Sequence, residues 1–185
     1  MLLSVYEYLE KIKWDNIIIS DHVVSVPSKY KKLAPNGCEC CFLIKKDIGV
    51  VLDVIGEFDR WKSLLSNSFR LKAFNRRKYL SDKVSVEFTQ AQPGEFDFYF
   101  SQLNRLHEGR WGESCFEKLS LEFHKRFVSL LGPNQKIRLS GLKLDGQFES
   151  VLYDVEVDDK IYNLQAGFNE KYDKKVSLGS LHLGY

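Results

Sequence analysis

The chain has 185 residues, 44% of them hydrophobic and 28% charged, with a formal net charge of +2. That length is enough to bury a core in one domain or in two small ones, and that composition excludes a disordered or low-complexity protein. A charge so near balance names no nucleic-acid or membrane partner. No apolar run approaches the ~20 residues of a membrane-spanning helix and no charged segment leads into an apolar signal, so a cytoplasmic location is the expectation.

Leu2, Leu3, Tyr6, Leu9 and Ile12 recur at helical spacing up to Trp14, and Ile17, Ile18 and Ile19 then read as a buried strand. Pro27 opens a short helix, Pro35-Asn36-Gly37 turns the chain, and strands follow over 40–45 and 50–55. Three of the four cysteines, Cys38, Cys40 and Cys41, cluster in this region, with Cys115 elsewhere. Their spacing lacks the paired C-x-x-C or Cys/His partners of a zinc site, and they run straight into Phe42, Leu43 and Ile44. Reduced cysteines filling a strand are the expectation, with no metal.

A longer helix is predicted over 57–80, carrying Phe58, Trp61, Leu64, Leu65, Phe69 and Leu71 beside the basic residues Arg70, Lys72, Arg76, Arg77 and Lys78. This basic series has two readings: a contact for phosphate or an anionic polymer through Arg70, Arg76 and Arg77, or a solvated helix face. The interruptions by Leu71, Ala73 and Phe74 favour the solvated face. Val84, Val86 and Phe88 alternate as a strand that Gln92-Pro93-Gly94 closes.

The stretch 100–111, FSQLNRLHEGRW, carries Phe100, Leu103, Leu106 and His107 at helical spacing, and Gly109 is expected to break the helix and leave Arg110 and Trp111 at a corner. The next helix, 116–131, is expected to pack through Phe116, Leu119, Phe123, Phe127 and Leu130, and to end at Gly132-Pro133. His124 reads as a satisfied histidine at the core's edge. Asp145-Gly146 is the strongest hairpin signal in the chain. It separates strands over 137–144 and 148–157, and Asp158-Asp159 turns the chain into a third over 160–168. The fold class expected is α/β (α+β), with these antiparallel strands covered by helices around 97–108 and 116–131.

Taken together, LHEGRW, Phe123-His124, the strand pair IRLSGLKLDGQFESVLYDVEV and the stretch YNLQAGFNEKYDKKVSLGS resemble the acetyltransferase domain of the CelD-like branch of the GNAT superfamily, related to the FemAB aminoacyl transferases. The resemblance covers residues 100–179 closely. It implies a GNAT-like, mostly antiparallel sheet flanked by helices, and parts of two tandem repeats. In that division, 1–56 is the second half of a degenerate first repeat, 57–83 a basic connecting helix, and 84–185 the first half of a second repeat whose remaining elements are missing.

The activity implied is transfer of an acyl group from acetyl-CoA or another acyl-CoA to an amine or hydroxyl, without a metal, in a family that serves cell-envelope or exopolysaccharide biosynthesis. On the donor side the resemblance places Ser177, Gly179 and Ser180 at the pyrophosphate, and Gln165, Ala166 and Gly167 along the splayed strand that receives the pantetheine arm. Leu178 stands where the family usually has Pro. On the acceptor side it places His107 as a candidate base, Arg110 as a holder of an anionic substrate group, and Trp111 near the mouth of a cleft bounded by the Gln165 strand. Against these stands the reading that His107 caps its helix while Trp111 packs. Because only one arm of the splayed strand pair is recognisable, this polypeptide is expected to be a poor catalyst. Two alternatives remain open at this level: a non-catalytic GNAT-like module, and a binder of tRNA or anionic glycan working through the basic helix.

Overall fold

A computed structural model of the chain describes residue 54 and residues 56–131, 136–157 and 160–185. The expected elements before residue 54, with Cys38, Cys40 and Cys41, lie outside the described residues. Asp53–Tyr185 form one compact unit.

The segment expected to be one helix over 57–80 is broken. Helix α1 spans Phe58–Leu64, and α2, Asn67–Arg70, restarts after Ser66, whose hydroxyl accepts the Phe69 N–H at 3.2 Å. A π-helical turn over Leu71–Asn75 then passes into α3, Arg76–Ser81. Ser66 explains the break, because a serine that takes an unpaired N–H favours a helix start over a helix interior. Phe58, Trp61 and Phe74 pack ring on ring across the break, with centroids 5.7 to 6.3 Å apart.

Strand β1, Val86–Gln90, is followed by helix α4, Phe96–Trp111, and helix α5, Lys118–Leu131. Gly109 does not break α4. The helix runs through it and ends at Gly112, whose φ of 82° supplies the left-handed cap while its N–H donates to Glu108 O at 2.8 Å. Burial of Tyr99, Phe100, Leu103 and Leu106 along one face holds α4 together, and each such side chain is worth about 1.5–3 kcal/mol, more than the ~1 kcal/mol helix penalty of a glycine.

Helix α5 also departs from expectation, in its rotation. Phe116, just ahead of it, is buried, but Leu119, Phe123 and Leu130 are 86%, 61% and 76% exposed. The inward stripe is instead Leu121, His124, Val128 and Leu131, with Phe127 partly buried beside it. Both stripes have helical spacing, so periodicity alone could not choose between them. Contacts of His124 decide it: its ring lies 4.0 Å from the Phe116 centroid, and its Nδ1 is 3.3 Å from the Tyr153 hydroxyl.

Strands β2, Ile137–Leu144, β3, Gln147–Val157, and β4, Lys160–Phe168, join β1 in an antiparallel sheet of order β1-β2-β3-β4. Asp145 and Gly146, at φ 49° and 80°, form the expected hairpin turn, since both central residues of a tight two-residue turn need positive φ. On β4 one extra residue, Leu164, falls between the pairs Tyr153↔Gln165 and Asp154↔Asn163, a bulge that bends this strand.

Each face of the sheet has its own core. Leu139, Val151, Tyr153 and Val155 pack beneath α4 and α5, together with Phe100 and Leu103. Leu142 and Leu144 pack on the other face against Leu80, Val176, Leu178 and Leu181. The last two belong to helix α6, Leu178–Leu183, which carries this second layer with α3.

Candidate functional site

Alternation along β4 sends neighbouring residues to opposite faces, and this separates the predicted donor-side residues. Gly167 faces α4: a Cβ there would lie 2.8 Å from the Leu103 carbonyl oxygen and 3.1 Å from Leu106 Cβ, so the strand and helix approach as closely as they do only because no side chain intervenes. Ala166 and Phe168 face the other way. With Leu152 of β3 and Ser177, Gly179 and Ser180 at the start of α6, they line a groove of about 220 Å³ beside the outermost strand of the sheet. The structure thus brings together Ala166, Ser177, Gly179 and Ser180, whereas Gln165 and Gly167 do not line the groove.

Gln165 acts on the groove indirectly. Its side-chain oxygen accepts the backbone N–H of Ala166 at 3.0 Å, occupying an amide of β4 next to the groove. Gly179 packs against the Phe168 ring so closely that a Cβ would come within 2.7 Å of it. Leu178, where the resemblance led to Pro, is 1% exposed and anchors the start of α6 in the core with Leu142 and Leu144. Burial of this side chain fixes the turn that a proline ring would otherwise stiffen. The first i→i−4 bond of α6 runs from Leu181 N to Ser177 O at 2.9 Å, so the amides of Leu178, Gly179 and Ser180 precede the helical ladder. Polar side chains in the groove wall are Asn163, Ser177 and Ser180. The Ser177 and Ser180 hydroxyls lie 3.1 Å apart, and Asn163 donates to Asp154 at 2.7 Å. Burial pushes the Asp154 carboxyl up, with the Asn163 contact and the nearby Arg138 guanidinium working against it.

Helix α6 is held by a residue that sequence reasoning missed. His182, 2% exposed, sits between two serines, Nδ1 at 2.8 Å from Ser150 Oγ and Nε2 at 3.1 Å from Ser140 Oγ. Burial drives its pKa down to about 4, so the ring is neutral at pH 7 and pins α6 to β2 and β3. Ser140 and Ser150 are 42 and 32 residues away in sequence, and no local pattern announces the cluster. His124 is similarly pushed down by burial, and its Tyr153 partner is pushed up by the same cause. Cys115, whose thiol lies 3.1 Å from Asn104 Oδ1, is driven up to about 11 by burial and is no thiolate at neutral pH.

The acceptor-side residues lie on α4, which covers the opposite face of the sheet. His107 donates Nδ1–H to Glu113 O at 2.8 Å, which leaves Nε2 as its remaining ring nitrogen. Trp111 is 60% exposed, and neither residue lines the groove. Arg110 alone reaches its wall: the guanidinium carbon is 4.6 Å from the Phe168 ring centroid and 4.5 Å from that of Trp111, while Nε donates to Glu170 at 3.3 Å. Trp111 therefore stands one guanidinium away from the groove.

The basic residues of the connector divide in the same way. Arg70 is turned onto its own segment, bonded to Asn67 and Ser63. Arg77 is half-buried between the rings of Phe74 and Tyr185, 5.5 and 4.1 Å from their centroids, with Nε and Nη2 buried and unpaired. Arg76 stays at the surface layer, 5.5 Å from the Tyr79 ring. They do not form the single solvated face expected from the sequence.

The described residues thus combine a four-stranded antiparallel sheet, two helices after its first strand, a bulged outer strand and a groove where that strand leads into the next helix. The sequence profile of the acetyltransferase (GNAT) domain matches residues 67–185, more than half of the chain. The chain belongs to the GNAT acetyltransferase family. It has no significant match among curated proteins or among solved structures. The groove thus lies in a GNAT domain, a class that uses acyl-CoA donors. Among the described residues no group of three or more His, Cys, Asp or Glu could hold a metal ion, and no helix is long and apolar enough to cross a membrane.

Proposed function

We propose that this GNAT domain takes an acyl-CoA in the groove between β4 and α6 and transfers its acyl group to an amine or hydroxyl. The observation that carries this reading is the convergence of Ala166, Ser177, Gly179 and Ser180 on one groove at the outermost strand. In it the pyrophosphate lies by the leading amides of α6 and the Ser177 and Ser180 hydroxyls, and the pantetheine arm runs along β4. The Ala166 N–H, now on Gln165, is the donor best placed to receive the thioester carbonyl, where it would stabilise the negative charge that develops during attack.

Attack by the acceptor forms the new C–N or C–O bond, the C–S bond breaks, and the acceptor's proton goes ultimately to the CoA thiolate. On the acceptor side Arg110 holds an anionic group, its reach to Phe168 supporting that role. A base role for His107 would run through Nε2, since Nδ1–H is committed to Glu113.

The same reading assigns the domain to the CelD-like branch related to FemAB transferases, acting in cell-envelope or exopolysaccharide synthesis in the cytoplasm, with residues 1–56 from a preceding degenerate repeat. The sequence motifs LHEGRW and YNLQAGF support that assignment. Isothermal titration with acetyl-CoA, followed by thiol release in the presence of candidate amines and sugars, tests the function. Micromolar binding that Ser177→Trp abolishes supports it. Absence of binding up to about 1 mM, an affinity of only ~4 kcal/mol, would rule out the donor.

A further inference from the structure

The loop between β4 and α6 is tied to the connector by one cluster. Asp173 accepts from the Tyr79 hydroxyl at 3.1 Å and from the Lys175 N–H at 2.7 Å, and its other backbone groups close a tight bridge with Val176. Lys83 donates to the same Tyr79 hydroxyl and lies 3.7 Å from Asp173. Three cations gather over the Tyr79 ring: Lys83 at 4.3 Å, Arg76 at 5.5 Å and Lys175 at 5.8 Å from its centroid. Only Lys83 makes an ion pair, with Asp173, although the charge of Lys175 also stabilises that carboxylate. Among the described residues the Arg76 guanidinium and the Lys175 ammonium make neither an ion pair nor a hydrogen bond. Asp145 and Glu149 approach from the Tyr172 side, and both already accept, from the Ser85 N–H and the Asn169 amide.

We infer that Arg76, Lys83 and Lys175, gathered around Tyr79, form a binding site for a phosphomonoester. Arg76 and Lys175, the two cations that make no ion pair, can meet the charge of about −1.5 to −2 that a phosphomonoester carries at pH 7. The Arg76 guanidinium offers paired donors to phosphate oxygens, while Lys83 and Lys175 act as point charges. Tyr79 and Asp173 hold the frame, so the loop and the connector present these groups together. Lys175 is two residues ahead of Ser177, at most about 7 Å along the chain. On the reading above, that short span joins the cluster to the end of the groove given to the pyrophosphate. That continuity rests on the acyl-CoA reading above, and there the phosphomonoester is the one on the ribose of the donor. A free phosphate or another phosphate-bearing molecule would be bound by the same chemistry.

Titration of the full chain with CoA and with 3′-dephospho-CoA, in the wild type and in an Arg76→Gln/Lys175→Gln variant, tests the inference. The wild type is expected to bind CoA about tenfold more tightly than dephospho-CoA, as befits one or two charge-assisted contacts at a partly exposed site. In the variant that gap closes, while the affinity for dephospho-CoA is unchanged. Equal affinities in the wild type, or an equal loss for both ligands in the variant, overturn the inference for the donor. Should neither coenzyme bind, the acyl-CoA reading fails, and inorganic phosphate followed by phosphorus NMR decides the cluster separately. Line broadening in the wild type that the variant lacks keeps the phosphate site, and identical spectra remove it.

Discussion

Acid should loosen this domain through His182 before its carboxylates titrate. The imidazole has an ordinary pKa of 6.5 and is held at about 4 in the fold by burial. Between those values the unfolded chain carries the proton and the folded chain does not, so the unfolded state binds more protons and stability falls as pH falls. Integrating from pH 7.5 down to pH 5 gives a loss of about 2 kcal/mol from this one residue. That loss is large against the ~5–15 kcal/mol of a typical domain. His124, also lowered by burial, adds to the loss with the same sign.

Urea unfolding followed by tryptophan fluorescence across that pH range measures the effect, with His182→Gln as the reference. The amide can still bond to Ser140 and Ser150 but does not titrate. The variant is expected to be less stable than the wild type at pH 7.5 and to lose less on acidification, so that the gap narrows by about 2 kcal/mol by pH 5. Parallel profiles for the two proteins would show that His182 is not held neutral between the serines, and the account of how α6 is pinned would fall with it.

Gly109→Ala should raise stability by about 0.5–1 kcal/mol, because the residue is exposed inside α4 and a Cβ there meets nothing within 4 Å. A lower melting temperature would contradict the observed continuity of that helix. Gly167→Ala should destabilise by about 1–3 kcal/mol, since the new methyl meets the Leu103 backbone rather than a movable side chain, and a variant as stable as the wild type would mean that α4 and β4 are not in such close contact. Gln165→Ala frees the Ala166 N–H and is expected to tighten acyl-CoA binding a few-fold, as removal of a competing acceptor should. Weaker binding measured by calorimetry would instead mean that Gln165 contacts the donor itself.

Among the described residues, the sequence by itself determined the two central helices, the strands after them and their antiparallel pairing, because those depend on local signals. The period-two strands, the Asp145-Gly146 turn and the apolar face of α4 are read within a few residues, and the run from LHEGRW to VSLGS carried the family. Four of the six donor-side residues named from that resemblance share one groove for the same reason: the strand, loop and helix start that hold them are contiguous.

Choices between locally equivalent options were decided only in three dimensions. Helix α5 has two apolar stripes, and the contact of His124 with Phe116 and Tyr153 selected which one turns inward. Gly109 or Gly112 could each have ended α4, and burial of its upstream face carried the helix past the first. Gln165 and Gly167 were separated from Ala166 by strand alternation, and α4 with His107 and Trp111 came to cover the face away from the groove. The His182 cluster joins three elements distant in sequence. Its members attract attention only when burial has removed the water that would otherwise have satisfied them.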